Sequence, residues 1–428
     1  MSKIFVQIAN YRDPEVVPTI KDILEQADKP ENLTFGICNQ YHDDDEWSLD
    51  EWRDDERFTI QDIPWNESKG LCWARSEIQK MWKGEEWTLQ IDSHHRFAEG
   101  WDTQLIEMAE NLQDKRIEKP ILTSYAGMYS PKDNRKINQE PFRMVGKKFT
   151  PSGTILFYPE YIHNYKELTE PLPARFVSGH FFFTVGKHCE EYKYDPNLYF
   201  AGDEISLSIR SWTLGYDIFH PHKTLVWHEY TREGRVKHWD DFVNKNQDKI
   251  ESKWHEMDVI SKKRLRKMLR EEDNDADVTG YDLGTVRTHS EYEQWAGIDF
   301  KNRILHPNTI KGIEPPTTDL PPSQWEELES KEYSFEVDWS EHYRKLKEGV
   351  GCTCTFQFIM FAIHDKEDEV LYRWDATKEN HKEIVVGEIT KKQFTFTSDT
   401  EPHKIVIWPY EEKRKWINKL ELPIEWKK

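Results

Sequence analysis

Leu89-Gln90-Ile91-Asp92-Ser93-His94-His95-Arg96-Phe97 is the stretch on which the reading of this chain turns. It leaves an apolar strand, Trp87 to Ile91, and ends in an acidic residue followed by histidines. In an extended chain residues i and i+2 face the same way, so Asp92 and His94 would present an oxygen and a nitrogen to one cation. Mixed oxygen and nitrogen ligation suits Mn2+ and related divalent metals. A cation held by few protein groups keeps positions open for a diphosphate. His95 competes with His94, but its side chain is expected on the opposite side of the strand. Taken alone, the triplet reads more simply as a strand-end aspartate capping the next turn beside a solvated histidine. Its surroundings change that weighing.

Outward from this stretch, strand-like and helix-like segments alternate. Lys3–Ala9, Leu33–Cys38, Phe58–Ile63 and Ile121–Tyr125 read as strands, and Pro14–Ala27, Gly70–Trp82 and Trp101–Asn111 as helices. Short connections between such elements predict an α/β fold with a mixed, mostly parallel sheet. Ligands in such sheets bind at the carboxyl ends of the strands. Ser130–Glu170, rich in Pro, Lys and Asn, reads as an irregular excursion or flap. Phe176–Val185 returns as an apolar strand, Gly202–Trp212 as a helix and Tyr216–Phe219 as a short strand. Lys237–Arg270 is charged and helix-forming, and its basic run Lys262–Arg270 reads as a solvated face ended by the acidic loop Glu271–Asp277.

Asn308–Pro322 holds Pro315-Pro316 and Pro321-Pro322 and reads as a linker. Past it, Tyr333–Trp339, Cys352–Ile363, Glu369–Trp374, Glu383–Ile389, Gln393–Thr397 and His403–Trp408 have the spacing of a small all-β sandwich. The expected organisation is an α/β domain over 1–307 with a helical extension at 237–275, a linker over 308–330 and an accessory β domain over 331–428.

Composition narrows the partners. A chain of 428 residues is long enough for two domains. An aromatic share of 13%, with 18 Trp, is too rich for disorder. Lys+Arg 59 against Asp+Glu 79 leaves a net charge of -20, which repels phosphate backbones and anionic lipid. Nucleic acid is therefore disfavoured, unless a basic face such as Lys262–Arg270 lines a binding groove. The 5 Cys form no zinc or disulfide pattern, which points to reduced thiols and a cytoplasmic setting. The apolar run near the N-terminus is too short for a signal-peptide core, and no apolar run approaches a membrane span.

Three stretches taken together carry a resemblance: IFVQIANYRDPEVVPTI from Ile4, GLCWAR from Gly70 and LQIDSHHRFAEGWD from Leu89. They resemble the cytoplasmic-type polypeptide α-N-acetylglucosaminyltransferases that modify hydroxyproline, and more distantly the polypeptide GalNAc-transferases. The resemblance runs in blocks from Ile4 to Phe300. It implies a GT-A fold, with UDP-GlcNAc or another UDP-sugar as donor. Asp92 and His94 would then bind Mn2+ (or Mg2+). A third ligand is expected from His228, at the end of an apolar strand, ahead of His220 and His222.

The same resemblance maps nucleotide-sugar contacts onto Ala9, Tyr11, Arg12 and Asp13 after the first strand. It maps others onto Gly70 and Arg75, onto Gln90, Asp92 and Ser93, and onto Ser178, Gly179 and His180. Tyr11 either stacks on uracil or packs in the core. Arg75 pairs with the diphosphate or with Asp92. Gly179 lacks Cβ and would let backbone approach the sugar; His180 stands where a second Gly is common. The block AGDEISLSIRSW from Ala201 places Asp203 and Glu204 at a helix start, where capping is their plain role. The family reading makes both catalytic, Glu204 towards the donor sugar and Asp203 towards the acceptor.

The expected function is metal-dependent transfer of GlcNAc or a similar sugar to a hydroxyl, on a protein, with retention implied by the resemblance. Alternatives keep the fold with a glycan, lipid-linked sugar or modified-nucleobase acceptor. A different class is a non-catalytic carbohydrate-binding protein using Trp339, Tyr372, Trp374 and Trp408 of the β domain.

Overall fold

Alternating side chains along the first strand, β1 (Ile4–Tyr11), explain why two layers of helix are needed. Ile4, Val6 and Ile8 join one apolar cluster, while Phe5 joins another with Ala74 and Ile78. A strand buried on both faces reads as a continuous apolar run. The same holds for β2 (Leu33–Tyr41) and, further on, β4 (Trp87–Asp92), whereas β3 (Phe58–Pro64) lies at the sheet edge. Helices α1 (Val16–Gln26) and α3 (Trp101–Asp114) cover one face and α2 (Leu71–Gln79) the other.

The computed structural model describes residues 2–150, 152–231, 234–318, 322, 331–338, 358–376, 391–398, 400–411, 415–416 and 419–424. The chain divides into two compact units, Met1–Gln324 and Trp325–Lys428. No helix among the described residues is long and apolar enough to cross a membrane.

The first unit continues through β5 (His95–Phe97), β6 (Pro120–Thr123), β7 (Gly127–Ser130), β8 (Arg135–Lys136), β9 (Phe142–Phe149), β10 (Ile155–Tyr161) and β11 (Leu172–Pro173). Then come β12 (Phe181–Val185), α4 (His188–Glu191), α5 (Asp203–Thr213), β13 (Asp217–His220) and β14 (Val226–His228). Its main sheet has eight strands in the order β11-β13-β6-β12-β4-β1-β2-β3. β1 is parallel to β2 and β4, β2 to β3 and β6 to β13; β12 runs antiparallel between β4 and β6. This is the mixed, mostly parallel α/β architecture expected. A second sheet, β5-β14-β7-β8, stands beside the ends of β1 and β4.

Several expected segments are built differently. Ser130–Glu170 is not an irregular flap: it contains the antiparallel hairpin of β9 and β10. Phe142, Met144, Val145 and Ile155 are buried in it, spread in the sequence among polar neighbours. The strand expected over Phe176–Val185 starts only at Phe181, because Ser178 and Phe181 close a tight turn. The helix-forming stretch Lys237–Arg270 holds two α-helices, His238–Asp241 and Trp254–Met268. Every cation of its basic run is paired, as in Lys263–Asp275, Arg266–Glu272, Lys267–Asp273 and Arg270–Asp282. Lys262 and Arg264 pair with Asp258 and Asp195. That face is neutralised, so it makes no basic groove.

The expected linker also begins later than its prolines suggest. Thr317 Oγ1 accepts from buried Arg175 at 2.7 Å, and Gly312 O accepts from Arg143 at 2.5 Å. Residues 307–317 thus pack on the first unit, because buried Arg175 needs carbonyl and hydroxyl partners.

In the second unit, Lys331–Asp338 pairs with Lys391–Ser398. Phe358–His364 lies between Val370–Ala376 and Lys404–Glu411, and the latter also pairs with Lys415–Trp416 and Leu420–Pro423. Val337, Ile359, Phe361, Phe394 and Ile407 share one core, with Tyr372 and Trp374 packed against it. Those two aromatics therefore serve packing. Trp339, Cys352, Cys354 and Glu383–Ile389 lie outside the described residues.

Candidate functional site

The parallel register sets Ala9 opposite Asp92, so β1 and β4 end at one edge. The chain does not run straight on from Asp92. Ser93 and His94 form a bend before β5 begins. The extended spacing expected for Asp92 and His94 is therefore absent, and the bend does the work instead. It brings His94 Nε2 to 3.9 Å from Asp92 Oδ2. β14 pairs antiparallel with β5, with His228 opposite His95, and sets His228 Nε2 3.4 Å from the same oxygen. One ligand atom from each of Asp92, His94 and His228 lies within 4.8 Å of the others. His95 turns away, its Nδ1 3.1 Å from the Asp92 carbonyl.

The donor set fits a divalent cation. His94 Nδ1 stands 2.7 Å from Asp13 Oδ2, which leaves Nε2 facing the cluster. A carboxylate behind a ligating histidine orients its ring in this way. Burial raises the Asp92 and Asp13 carboxyls. The hydrogen bond from His228 together with Arg75 and His94 holds Asp92 well below its ordinary value, and His94 and Arg235 do the same for Asp13. Both are anionic at neutral pH. His220 is spoken for: its ring nitrogens lie 2.8 Å from Thr123 O and 3.2 Å from Met144 N.

Two cavities meet at this cluster, sharing Leu71, Asp92, Phe200 and His228. One of about 160 Å³ is lined by Ala9, Tyr11, Asp13, Tyr199, His238 and Trp239 among others. The other, of about 860 Å³, is lined by Tyr125, Phe142, Phe157, Gly179, His180, Glu204 and Tyr230 among others. Arg75 is the one Lys or Arg lining the larger cavity among the described residues.

The residues mapped from sequence divide between these spaces. Ala9, Tyr11, Asp13 and Ser93 line the smaller cavity, where Tyr11 donates to Asp241 Oδ2 at 3.0 Å. Arg12 lines neither; it is paired with Asp45 and Asp241. Gly70 has φ 103° and packs on Tyr199, a conformation and a closeness that favour glycine. Ser93 Oγ donates to Asp13 at 3.0 Å. Gln90 Nε2 and Arg75 Nη2 both donate to Gly179 O, at 2.9 and 2.6 Å. Ser178 is fully buried, with its Oγ 2.9 Å from Nδ1 of His180, which lines the larger cavity. Asp203 is 4% exposed against Arg75 and Cys72. Glu204 faces the larger cavity and accepts from Gly179 N–H at 3.3 Å. Burial pushes its carboxyl up to about 7.

Sequence reasoning missed Arg235, Glu229, Tyr125 and Tyr230. Arg235 Nη1 lies 2.7 Å from His94 Nε2 and 3.0 Å from Asp13, and its Nη2 lies 3.2 Å from Glu229. A cation shared by all three ligands therefore requires Arg235 to leave His94. The segment HEYTREGR that follows β14 carries no periodic pattern, and only its position after His228 could have flagged it.

The family model described as Glycosyltransferase (GlcNAc) matches residues 3–57 and 48–302. Among solved structures, GalNAc-T7 with UDP, GalNAc and Mn2+ is similar at 14% identity over 62% of this chain and 48% of that one, with a TM-score of 0.47. S. aureus TarS 1-349 in complex with UDP-GlcNAc is similar at 11% identity over 65% of this chain and 69% of that one, with a TM-score of 0.39. S. aureus TarS is similar at 8% identity over 99% of this chain and 86% of that one, with a TM-score of 0.37. The chain thus spans about half the length of the GalNAc-T7 chain it matches. No curated protein sequence matches it.

Proposed function

From the premise that this chain belongs to the GlcNAc glycosyltransferase family, we propose that it moves GlcNAc or a similar sugar from a UDP donor to a hydroxyl, in a metal-dependent, retaining reaction. The observation that carries this reading is the Asp92–His94–His228 set at the junction of two cavities. Those three residues would hold Mn2+ or Mg2+, which when bound offsets charge developing on the diphosphate leaving group. The smaller cavity takes the nucleotide, with Tyr11, Tyr199 and His238 as its aromatic walls. The larger takes the sugar and the acceptor. Glu204 holds a sugar hydroxyl there. The acceptor oxygen bonds to the anomeric carbon as that carbon's bond to the diphosphate oxygen breaks; UDP leaves, and the hydroxyl proton passes to the departing diphosphate oxygen. Retention rests on the resemblance of the motifs.

A protein acceptor, in keeping with hydroxyproline-directed transferases, is preferred. A polyanionic acceptor is disfavoured because Arg75, the cation lining the larger cavity, is already committed to Asp92 and Asp203. A cytoplasmic setting accords with the buried free thiols Cys38, Cys72 and Cys189.

The test is a donor screen: protein, Mn2+ and a panel of nucleotide-sugars, reading released nucleotide. Turnover of one UDP-sugar, lost with chelator, is expected. Silence across the panel, with no UDP binding by calorimetry, would remove the transferase reading.

A pH profile examines Glu204. Deprotonation makes both of its oxygens acceptors and strengthens the bond from the sugar hydroxyl, so kcat is expected to rise as pH passes about 7. Glu204→Gln should flatten that limb; an unchanged profile in the variant would assign it to another group.

A further inference from the structure

We propose that Asp203 is a positioning residue for the metal site: it anchors Arg75, and Arg75 holds Asp92 so that a single oxygen faces the cation. The proposal rests on the metal reading above. It departs from an acceptor-side role for Asp203, the one suggested by the motif.

Asp203 has no oxygen to spare. Its Oδ2 accepts from Arg75 Nη1, and its Oδ1 accepts from Cys72 Sγ at 3.4 Å. It borders the larger cavity but is only 4% exposed. The guanidinium it anchors is 2% exposed and forks. Arg75 Nη2 donates to Asp92 Oδ1 at 3.2 Å and to Gly179 O at 2.6 Å. Asp92 Oδ1 is thereby committed. The other oxygen, Oδ2, is the one 3.4 Å from His228 Nε2 and 3.9 Å from His94 Nε2. Because the guanidinium is planar, anchoring Nη1 on Asp203 fixes where Nη2 meets Asp92 Oδ1, which the single point charge of a lysine could not do.

The link is built tightly. A Cβ on Gly179 would lie 2.9 Å from Asp203 Oδ2 and 3.1 Å from Arg75 Nη1, so a side chain there would have to displace the pair. Glu204, the next residue, accepts from the Gly179 N–H at 3.3 Å. Asp203 and Glu204 thus split the start of α5 between two tasks. One faces the buried guanidinium and the other faces the cavity.

Outer partners of metal ligands typically matter by about 10- to 100-fold in metal affinity. The test measures Mn2+ binding by the full-length protein without nucleotide, from the electron paramagnetic resonance signal of free Mn2+. Asp203→Asn is expected to weaken binding by about 10- to 100-fold. Asp203→Glu, which keeps a carboxylate within reach of Arg75, is expected to stay close to the wild type. Ser208→Ala supplies a control on α5, since Ser208 Oγ accepts from Val177 N–H at 2.7 Å, away from Arg75. It should bind Mn2+ as the wild type does. Equal affinity in Asp203→Asn and wild type would overturn the proposal, as would an equal loss in Ser208→Ala. Should Asp203→Asn not fold, Arg75→Lys reads the link from its other end: it keeps the charge, loses the fork and is expected to lose affinity likewise. If the wild type and Asp92→Ala both fail to bind Mn2+, the metal reading itself falls, and this proposal with it.

Discussion

Asp92→Ala is expected to cut UDP-sugar turnover by about 10²- to 10³-fold or more and to leave the remainder insensitive to chelator. The size follows from what Asp92 does in the cluster. Its Oδ2 is the one anionic ligand atom of the set, with His228 Nε2 at 3.4 Å and His94 Nε2 at 3.9 Å. The fold should survive, because Arg75 keeps Asp203 and the Gly179 carbonyl as partners. Two histidine variants sharpen the result. His228→Ala should weaken UDP–Mn2+ binding, measured by calorimetry. His220→Ala should leave it unchanged and cost stability instead, since His220 bridges Thr123 O and Met144 N. Equal loss of binding in the two variants, or full chelator-sensitive activity in Asp92→Ala, would remove the assigned metal set.

Arg75→Met should destabilise the first unit by about 3–5 kcal/mol, because it strands a buried carboxylate. Asp203 has a side chain 5% exposed and would lose its cation; Asp92, at 25%, would recover some hydration. Against a total stability of about 5–15 kcal/mol, that is a large fraction. Denaturant unfolding of the full chain, followed by near-ultraviolet circular dichroism, checks it. Adding Asp203→Asn should recover part of the loss, since the second change removes the stranded charge, and the pair should be non-additive. Strict additivity would show that Arg75 and Asp203 act separately.

Much of the site was legible because it sits where strands end. Asp92 could be located from the apolar run before it, and His228 from the short apolar stretch ending in it. Local pattern could not supply the contacts made across long separations. Arg235 reaches Asp13 over 222 residues, and nothing near Asp13 announces it. Tyr11 meets Asp241 over 230 residues. The hairpin of β9 and β10 was hidden for a different reason. Its buried residues are spread among exposed ones, so composition pointed to an irregular loop. The prolines after residue 307 likewise suggested a free linker, while Arg143 and Arg175 bind the backbone carbonyls of Gly312 and Ile313.

The sequence by itself determined the class of fold, the strand ends at which the candidate site lies, and the residue types in it able to hold a cation. Periodicity is a local property, so each strand and helix carries its own signal. Only the tertiary structure decided which atoms meet. Asp92 and His94 come together through a bend rather than an extended strand, and His228 arrives by pairing of β14 with β5. Asp203 and Glu204, adjacent in sequence, face a buried guanidinium and an open cavity because Gly179 packs between them. Burial and pairing depend on what the rest of the chain brings near, and these are what turn a carboxylate into an anchor or a ligand.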